Sequence, residues 1–175
     1  DDSKEIYQLI SEVVSHRRGP SNITQKELKD LSNETAKLKI FKGFKRGELK
    51  VLIENSYPIH PITLYLLPRI SARVAQNERT LFSFLYSRDF KKTIYPHDLY
   101  DYFSNDMRVD TSTGGTYKQW LETQSALSKT GGDEILESIL KTTCLLGLGT
   151  AGERSKAGRD LLLYSLSGFD QHKRL

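Results

Sequence analysis

Apolar residues recur along most of the chain at three-and-four spacing, the period of a helix with one buried face. Ile6, Leu9, Ile10, Val13 and Val14 make the first such stripe, and Gly19-Pro20 ends it. Thr24 followed three residues on by Glu27 has the spacing of a capping box and predicts a second, more polar helix reaching Leu38. Ile40-Phe41-Lys42-Gly43-Phe44 reads as an apolar link, and Glu48 to Asn55 as a short third helix.

From Tyr57 to Leu85 the chain reads YPIHPITLYLLPRISARVAQNERTLFSFL. Pro58 and Pro61 stiffen its start, and proline suits the first turn of a helix. Ile62, Leu66, Ile70 and Val74 then mark one face, with Leu67 beside it. Pro68 falls inside this pattern, so the helix is expected to kink or break there. Asn77 is a candidate N-cap for a following helix that buries Leu81, Phe82 and Leu85.

Pro96 opens a helix carrying Leu99, Tyr102 and Phe103, and Asp110 to Gly115 is a turn-rich loop. Tyr117, Trp120, Leu121, Gln124 and Leu127 form an amphipathic stripe. Gly131-Gly132 separates it from Ile135, Leu136, Ile139, Leu140 and Thr143. Gly147-Leu148-Gly149 is read as the end of that helix, and Leu161, Leu162 and Leu166 as the last one. With eight or nine helices, no clear strand pair and no internal repeat, the pattern predicts an all-α, multi-helix bundle. Three segments suggest themselves: residues 1–56 with N-terminal helices and a basic linker, 57–110, and 111–175.

Composition narrows this picture. At 175 residues the chain is one ordinary domain or two small ones, and 37% hydrophobic with 27% charged residues is a globular mixture. The single cysteine, Cys144, excludes an internal disulfide framework and a cysteine-rich zinc site. The opening Asp1-Asp2-Ser3-Lys4-Glu5 has no signal-peptide character, and no apolar run approaches a membrane span. A reducing, cytoplasmic setting is the expectation, with no membrane partner. The first residue is not Met, and His172-Lys173-Arg174-Leu175 closes the chain abruptly. A piece of a longer protein is expected, with a processed or tag-cleaved protein as the alternative.

The net charge of +4 is mild but uneven. Lys37, Lys39, Lys42, Lys45, Arg46 and Lys50 stand close together with only Glu48 opposing them. Of these, Lys42, Lys45, Arg46 and Lys50 are candidate contacts to DNA or RNA phosphates. Arg154, Lys156 and Arg159, then His172, Lys173 and Arg174, make a second group. Between them lies an acidic, aromatic stretch with Asp98, Tyr100, Asp101, Tyr102, Phe103 and Asp106.

Catalytic motifs are largely missing. No phosphate-cradling Gly-Lys-Ser/Thr loop occurs. Gly147-Leu148-Gly149-Thr150-Ala151-Gly152 imitates a dinucleotide loop but follows a helix pattern, not a strand. His16, His60, His97 and His172 are scattered without metal-ligand spacing. His60 either pins a helix start or contacts a ligand or neighbouring domain. Cys144 on an apolar helix reads as a small buried hydrophobe. Asp98, Asp101, Asp106 and Asp110 lack the spacing of a calcium loop. Arg79, one turn into its helix, is the residue best placed for chemistry, because a guanidinium suits bidentate phosphate contact. The competing reading is an ion pair with Glu78 or another acid.

The YPIHP and QNERTLFSFL motifs give the Tyr57–Leu85 stretch a resemblance to large bacterial P-loop ATPases of the AAA+/STAND kind, some of them from phage-defence systems such as BREX. It is similar to the region just after their nucleotide-binding core. LYDYF, TGGTYKQWLETQSALSK and EILESILKTTCLLGL extend the resemblance more weakly to Leu166. It implies lid helices followed by a partial winged-helix-like unit. The partner would be a nucleotide-binding core elsewhere in the parent, with ATP and magnesium as the parent's cofactors. Arg79 then matches the lid arginine that reaches ATP phosphate, and His60 is a second nucleotide-contacting candidate. The expected function is a non-catalytic lid or regulatory module of an ATPase of anti-phage defence. The alternative is a helical domain binding nucleic acid or protein, and self-association is left open.

Overall fold

The computed structural model describes residues 2–75, 77–150 and 158–166. These residues form nine helices: α1 (Asp2–Arg18), α2 (Gln25–Leu38), α3 (Arg46–Ser56), α4 (Pro61–Val74), α5 (Glu78–Tyr86), α6 (Pro96–Val109), α7 (Tyr117–Leu127), α8 (Glu134–Gly149) and α9 (Gly158–Leu166). No strand is present among the described residues. The one extended pairing is an isolated parallel bridge between Ile59 and Ile94. The all-α bundle read from the sequence is the architecture observed.

Local chemistry explains the boundaries. Thr24 and Glu27 form the reciprocal capping box, with Glu27 N–H donating to Thr24 Oγ1 at 3.2 Å and Thr24 N–H to Glu27 Oε2 at 2.9 Å. Asn77 Oδ1 caps α5 by accepting from Thr80 N–H at 3.0 Å. Asp133 does the same for α8, accepting from Ile135 and Leu136. Pro61 and Pro96 occupy first-turn positions, where a missing N–H costs nothing.

α4 is the central element, and α1, α5, α6, α8 and α9 all pack against it. Pro61 through Leu67 are seven consecutive buried residues, so the first half of this helix is enclosed on every side, while Ala72 and Arg73 near its end are exposed. α4 runs through Pro68 as a single helix, so the proline does not break it, although with no N–H it cannot donate to the Leu64 carbonyl. The burial of Leu64, Tyr65, Leu66, Leu67 and Ile70 on both sides outweighs a proline cost of about 3 kcal/mol.

α1, α2 and α3 form one group that joins the rest through α1 and α4. Tyr7 donates its hydroxyl to the Tyr65 carbonyl at 2.9 Å, and Phe41 of the apolar link packs edge-on against both rings. α6, α7 and α8 pack on one another on the far side, and α9 lies on α4 and α8.

Three apolar expectations shift. Leu9 is 43% exposed, and Tyr7 fills the core in its place. α7 buries no residue fully, and its Leu121 faces outward, because Trp120 and Gln124 turn toward α6. Ile135 and Leu136, at the start of α8, are exposed as well. Gly147-Leu148-Gly149 forms the last residues of α8, which ends at Gly149 as the glycine run predicts. A Cβ at Gly149 would lie 2.7 Å from Leu66 Cδ2, so glycine there lets α8 approach α4 closely.

Candidate functional site

The α4–α5 corner holds the residue singled out for phosphate contact. Asn77 fastens the corner: its Oδ1 caps α5, its Nδ2 donates to Ala75 O at 2.9 Å, and its carbonyl accepts from Ser71 Oγ at 3.2 Å. Leu81, Phe84 and Leu85 are buried and anchor the rest of α5. Arg79 follows on the first turn and is exposed. Its carbonyl accepts from Ser83 Oγ at 2.9 Å, while its guanidinium has no ion pair or hydrogen bond with a described residue. The competing ion pair with Glu78 is not formed. Arg79 is thus a forked cation, unpaired among the described residues, on a corner that Asn77 caps. Nearby in sequence, Arg73 reaches Gly114 O at 3.3 Å, and Arg69 lies over the Tyr65 ring and donates to Gly149 O.

His60 sits differently. It is fully buried, and its Nδ1 accepts from Ile62 N–H at 3.1 Å, which fixes that nitrogen unprotonated and caps α4. Its ring lies 5.1 Å from Tyr164 and 6.0 Å from Tyr95. A nucleotide could reach it only after α9 had moved. Arg79 and His60 mark opposite ends of the α4 segment and are not brought together.

The basic stretch gathers on the link and first turn of α3. Lys42, Lys45 and Arg46 are exposed and Lys50 is half-buried. Arg46 donates to Asn33 Oδ1 at 2.7 Å, and Lys37 is paired with Glu34. Glu48, the one opposing acid, is taken by Lys4, whose hydrogen bond holds its carboxyl below the usual range. Of the second basic group, Arg159 is exposed on α9. Arg154, Lys156, His172, Lys173 and Arg174 lie outside the described residues, as do Ala151 and Gly152 of the dinucleotide-like run.

Three of the acidic residues are individually committed. Asp98 Oδ2 accepts from Tyr95 N–H at 2.8 Å, and Asp101 pairs with Lys141. Asp110 closes the loop before α7: its carboxylate accepts from Thr116 N–H, Thr116 Oγ1 and Ser112 Oγ, and is held below its usual range chiefly by that N–H. Among the described residues no group of His, Cys, Asp and Glu is arranged to hold a metal ion. Cys144 is half-buried with its thiol pushed up by burial, so it is a packing residue rather than a nucleophile.

One convergence was not visible in the sequence. His97 Nδ1 lies 3.1 Å from Ser138 Oγ, and Asp98 Oδ1 lies 3.7 Å from His97 Nε2. Two positions on α6 and one on α8, 41 residues apart, meet beside an open groove. Ser138 sits within α8, where backbone N–H groups serve the helix itself, so no free donor pair faces the hydroxyl as acyl transfer requires. The cluster joins α6 to α8.

Comparison with protein-family models, curated proteins and solved structures finds no match for this chain. No helix among the described residues is long and apolar enough to cross a membrane.

Proposed function

We propose that the chain is a non-catalytic lid and regulatory helical module of a larger P-loop ATPase, of the kind found in bacterial anti-phage defence. The observation that carries this reading is the exposed, unpartnered guanidinium of Arg79 on a corner fixed by Asn77 and by the buried Leu81, Phe84 and Leu85. A lid arginine must be held in place yet left unpaired until phosphate arrives. The YPIHP and QNERTLFSFL motifs supply the class of parent. ATP and magnesium would be held by the parent's core, since this chain has no phosphate-cradling loop.

Turnover by the longer parent tests the proposal. Arg79→Ala should slow ATP hydrolysis by about 10²-fold or more, because contacts to charge developing in phosphoryl transfer are among the largest catalytic contributions. Arg79→Lys should recover only part of it, because a point charge does not reproduce the bidentate fork. The melting temperature should move little, since the exposed guanidinium forms no ion pair or hydrogen bond with a described residue. Unchanged turnover in Arg79→Ala defeats the lid reading.

A second reading rests on the exposure of Lys42, Lys45 and Arg46 along the link and the start of α3. It takes this face as a weak, sequence-independent contact to DNA or RNA. Binding should then fall steeply with salt. Replacing Lys42, Lys45, Arg46 and Lys50 by Glu should abolish it, and residual binding that is unchanged removes the assignment.

A further inference from the structure

A groove of about 1520 Å³ opens between α1, the segment 90–97 and the start of α8, and neither Arg79 nor the basic stretch lines it. Its edge carries unused backbone groups. Ile94 N–H donates to Pro58 O at 3.0 Å and Ile94 O accepts from His60 N–H at 3.1 Å, forming the bridge to Ile59. In extended chain, consecutive residues present their backbone groups to opposite edges. The N–H and C=O of Thr93 therefore face away from the bridge, and Thr93 lines the groove. Neither group has a hydrogen bond to a described residue. Thr93 alone supplies this free edge, since the N–H groups of Lys91 and Tyr95 donate to Asp89 and Asp98, and its donor–acceptor pair can take one residue of a further extended chain.

The charges around it are unevenly satisfied. Glu27 is committed to Thr24, and Glu137 accepts from Thr130 Oγ1 at 3.0 Å. Lys141 pairs with Asp101, and Arg18 donates to the carbonyls of Glu54, Asn55 and Tyr57 at the end of α3. Lys91 and Lys92, immediately before Thr93, are exposed and have no ion pair with a described residue. The exposed acid on the opposite rim, Glu134, lies in the first turn of α8, where the helix dipole already favours it. Beside it Ile135 is 70% exposed, an apolar side chain at the mouth of the groove.

We infer that this groove binds an extended segment of a partner polypeptide, pairing with the Thr93 backbone, placing acidic side chains at Lys91 and Lys92 and an apolar side chain against Ile135. Backbone pairing supplies affinity that is independent of sequence, and the lysines and Ile135 select an acidic segment with a β-branched or aromatic residue in it.

The test is selection of a random decapeptide display library on the immobilised full chain, followed by anisotropy titration of the enriched peptides. Acidic peptides containing β-branched or aromatic residues should dominate. Their affinity should fall about tenfold or more on Lys91→Glu/Lys92→Glu, as expected for reversing two rim charges. Thr93→Pro, which removes a donor unused by the fold, should weaken the same peptides severalfold. Equal melting temperatures for the three proteins establish that the fold is intact. No enrichment over the starting library, or enriched peptides that bind the charge-reversed and proline variants as tightly as wild type, overturns the inference.

Discussion

Asp110 offers a perturbation whose size and pH dependence both follow from geometry. Its carboxylate accepts from Thr116 N–H at 2.8 Å, Thr116 Oγ1 at 3.0 Å and Ser112 Oγ at 2.9 Å, and its carbonyl accepts from Tyr117 N–H at 3.1 Å. The loop before α7 is thus closed by one side chain, and a Cβ on Gly115 would meet the Asp110 carbonyl at 2.5 Å. Asp110→Ala removes the carboxylate contacts and leaves the carbonyl. Because Asp110 itself is only half-buried and sits just before α7, the loss should resemble that of a helix cap, about 1 kcal/mol. Three separate buried bonds would sum to more. For a chain of this size, that lowers the melting temperature by about 2–4 °C.

The hydrogen bonds from Thr116 and Ser112, with Arg73 nearby, hold the folded carboxyl below its usual range. A group with a depressed folded pKa contributes stability above its unfolded value, about 3.9, and loses it as pH falls through the folded value. Urea unfolding of wild type and Asp110→Ala should therefore differ by about 1 kcal/mol at pH 7. The difference should narrow as pH drops below about 4. A gap that stays constant to pH 3, or one absent at pH 7, refutes the clasp.

Two neighbouring glycines of α8 should respond in opposite directions. Gly149→Ala forces a methyl against Leu66 and should destabilise the fold by about 1–3 kcal/mol. Gly147→Ala meets nothing within 4 Å and should be neutral or stabilising by up to about 1 kcal/mol, as thermal unfolding of both will show. Tyr164→Phe removes the 2.6 Å contact with Thr35 Oγ1 that ties α9 to α2 and should cost about 1 kcal/mol in urea unfolding. Cys144 should react slowly with a thiol reagent at pH 8 until the protein unfolds, since burial pushes its thiol up. Immediate stoichiometric reaction would contradict its packing role.

Much of the fold was written in local signals. Thr24 with Glu27, Asn77, Pro61 and Pro96 each act within four residues of their own position, so spacing alone placed the starts of α2, α4, α5 and α6. Periodicity located the apolar faces but not what covers them, which is why Leu9, Leu121 and Ile135 read as core and emerge exposed. Local propensity expects a kink or break at Pro68, yet α4 runs through it as one helix; the glycine run does close α8, and Gly149 has the added role of letting α8 reach Leu66, which no spacing encodes. The corner carrying Arg79 was legible because a cap and a helix start suffice to place it. The Thr93 edge and the meeting of His97 with Ser138 depend on contacts between distant segments, which no spacing encodes.

The central claim is that Arg79 meets nucleotide phosphate when the lid closes. The most direct measurement is a structure of the longer parent trapped with magnesium and a non-hydrolysable ATP analogue. With the lid closed, the Arg79 guanidinium should lie about 2.7–2.9 Å from phosphate oxygens, the range of a charge-assisted hydrogen bond. An occupied nucleotide site with Arg79 still facing solvent, or paired with a carboxylate, would contradict it.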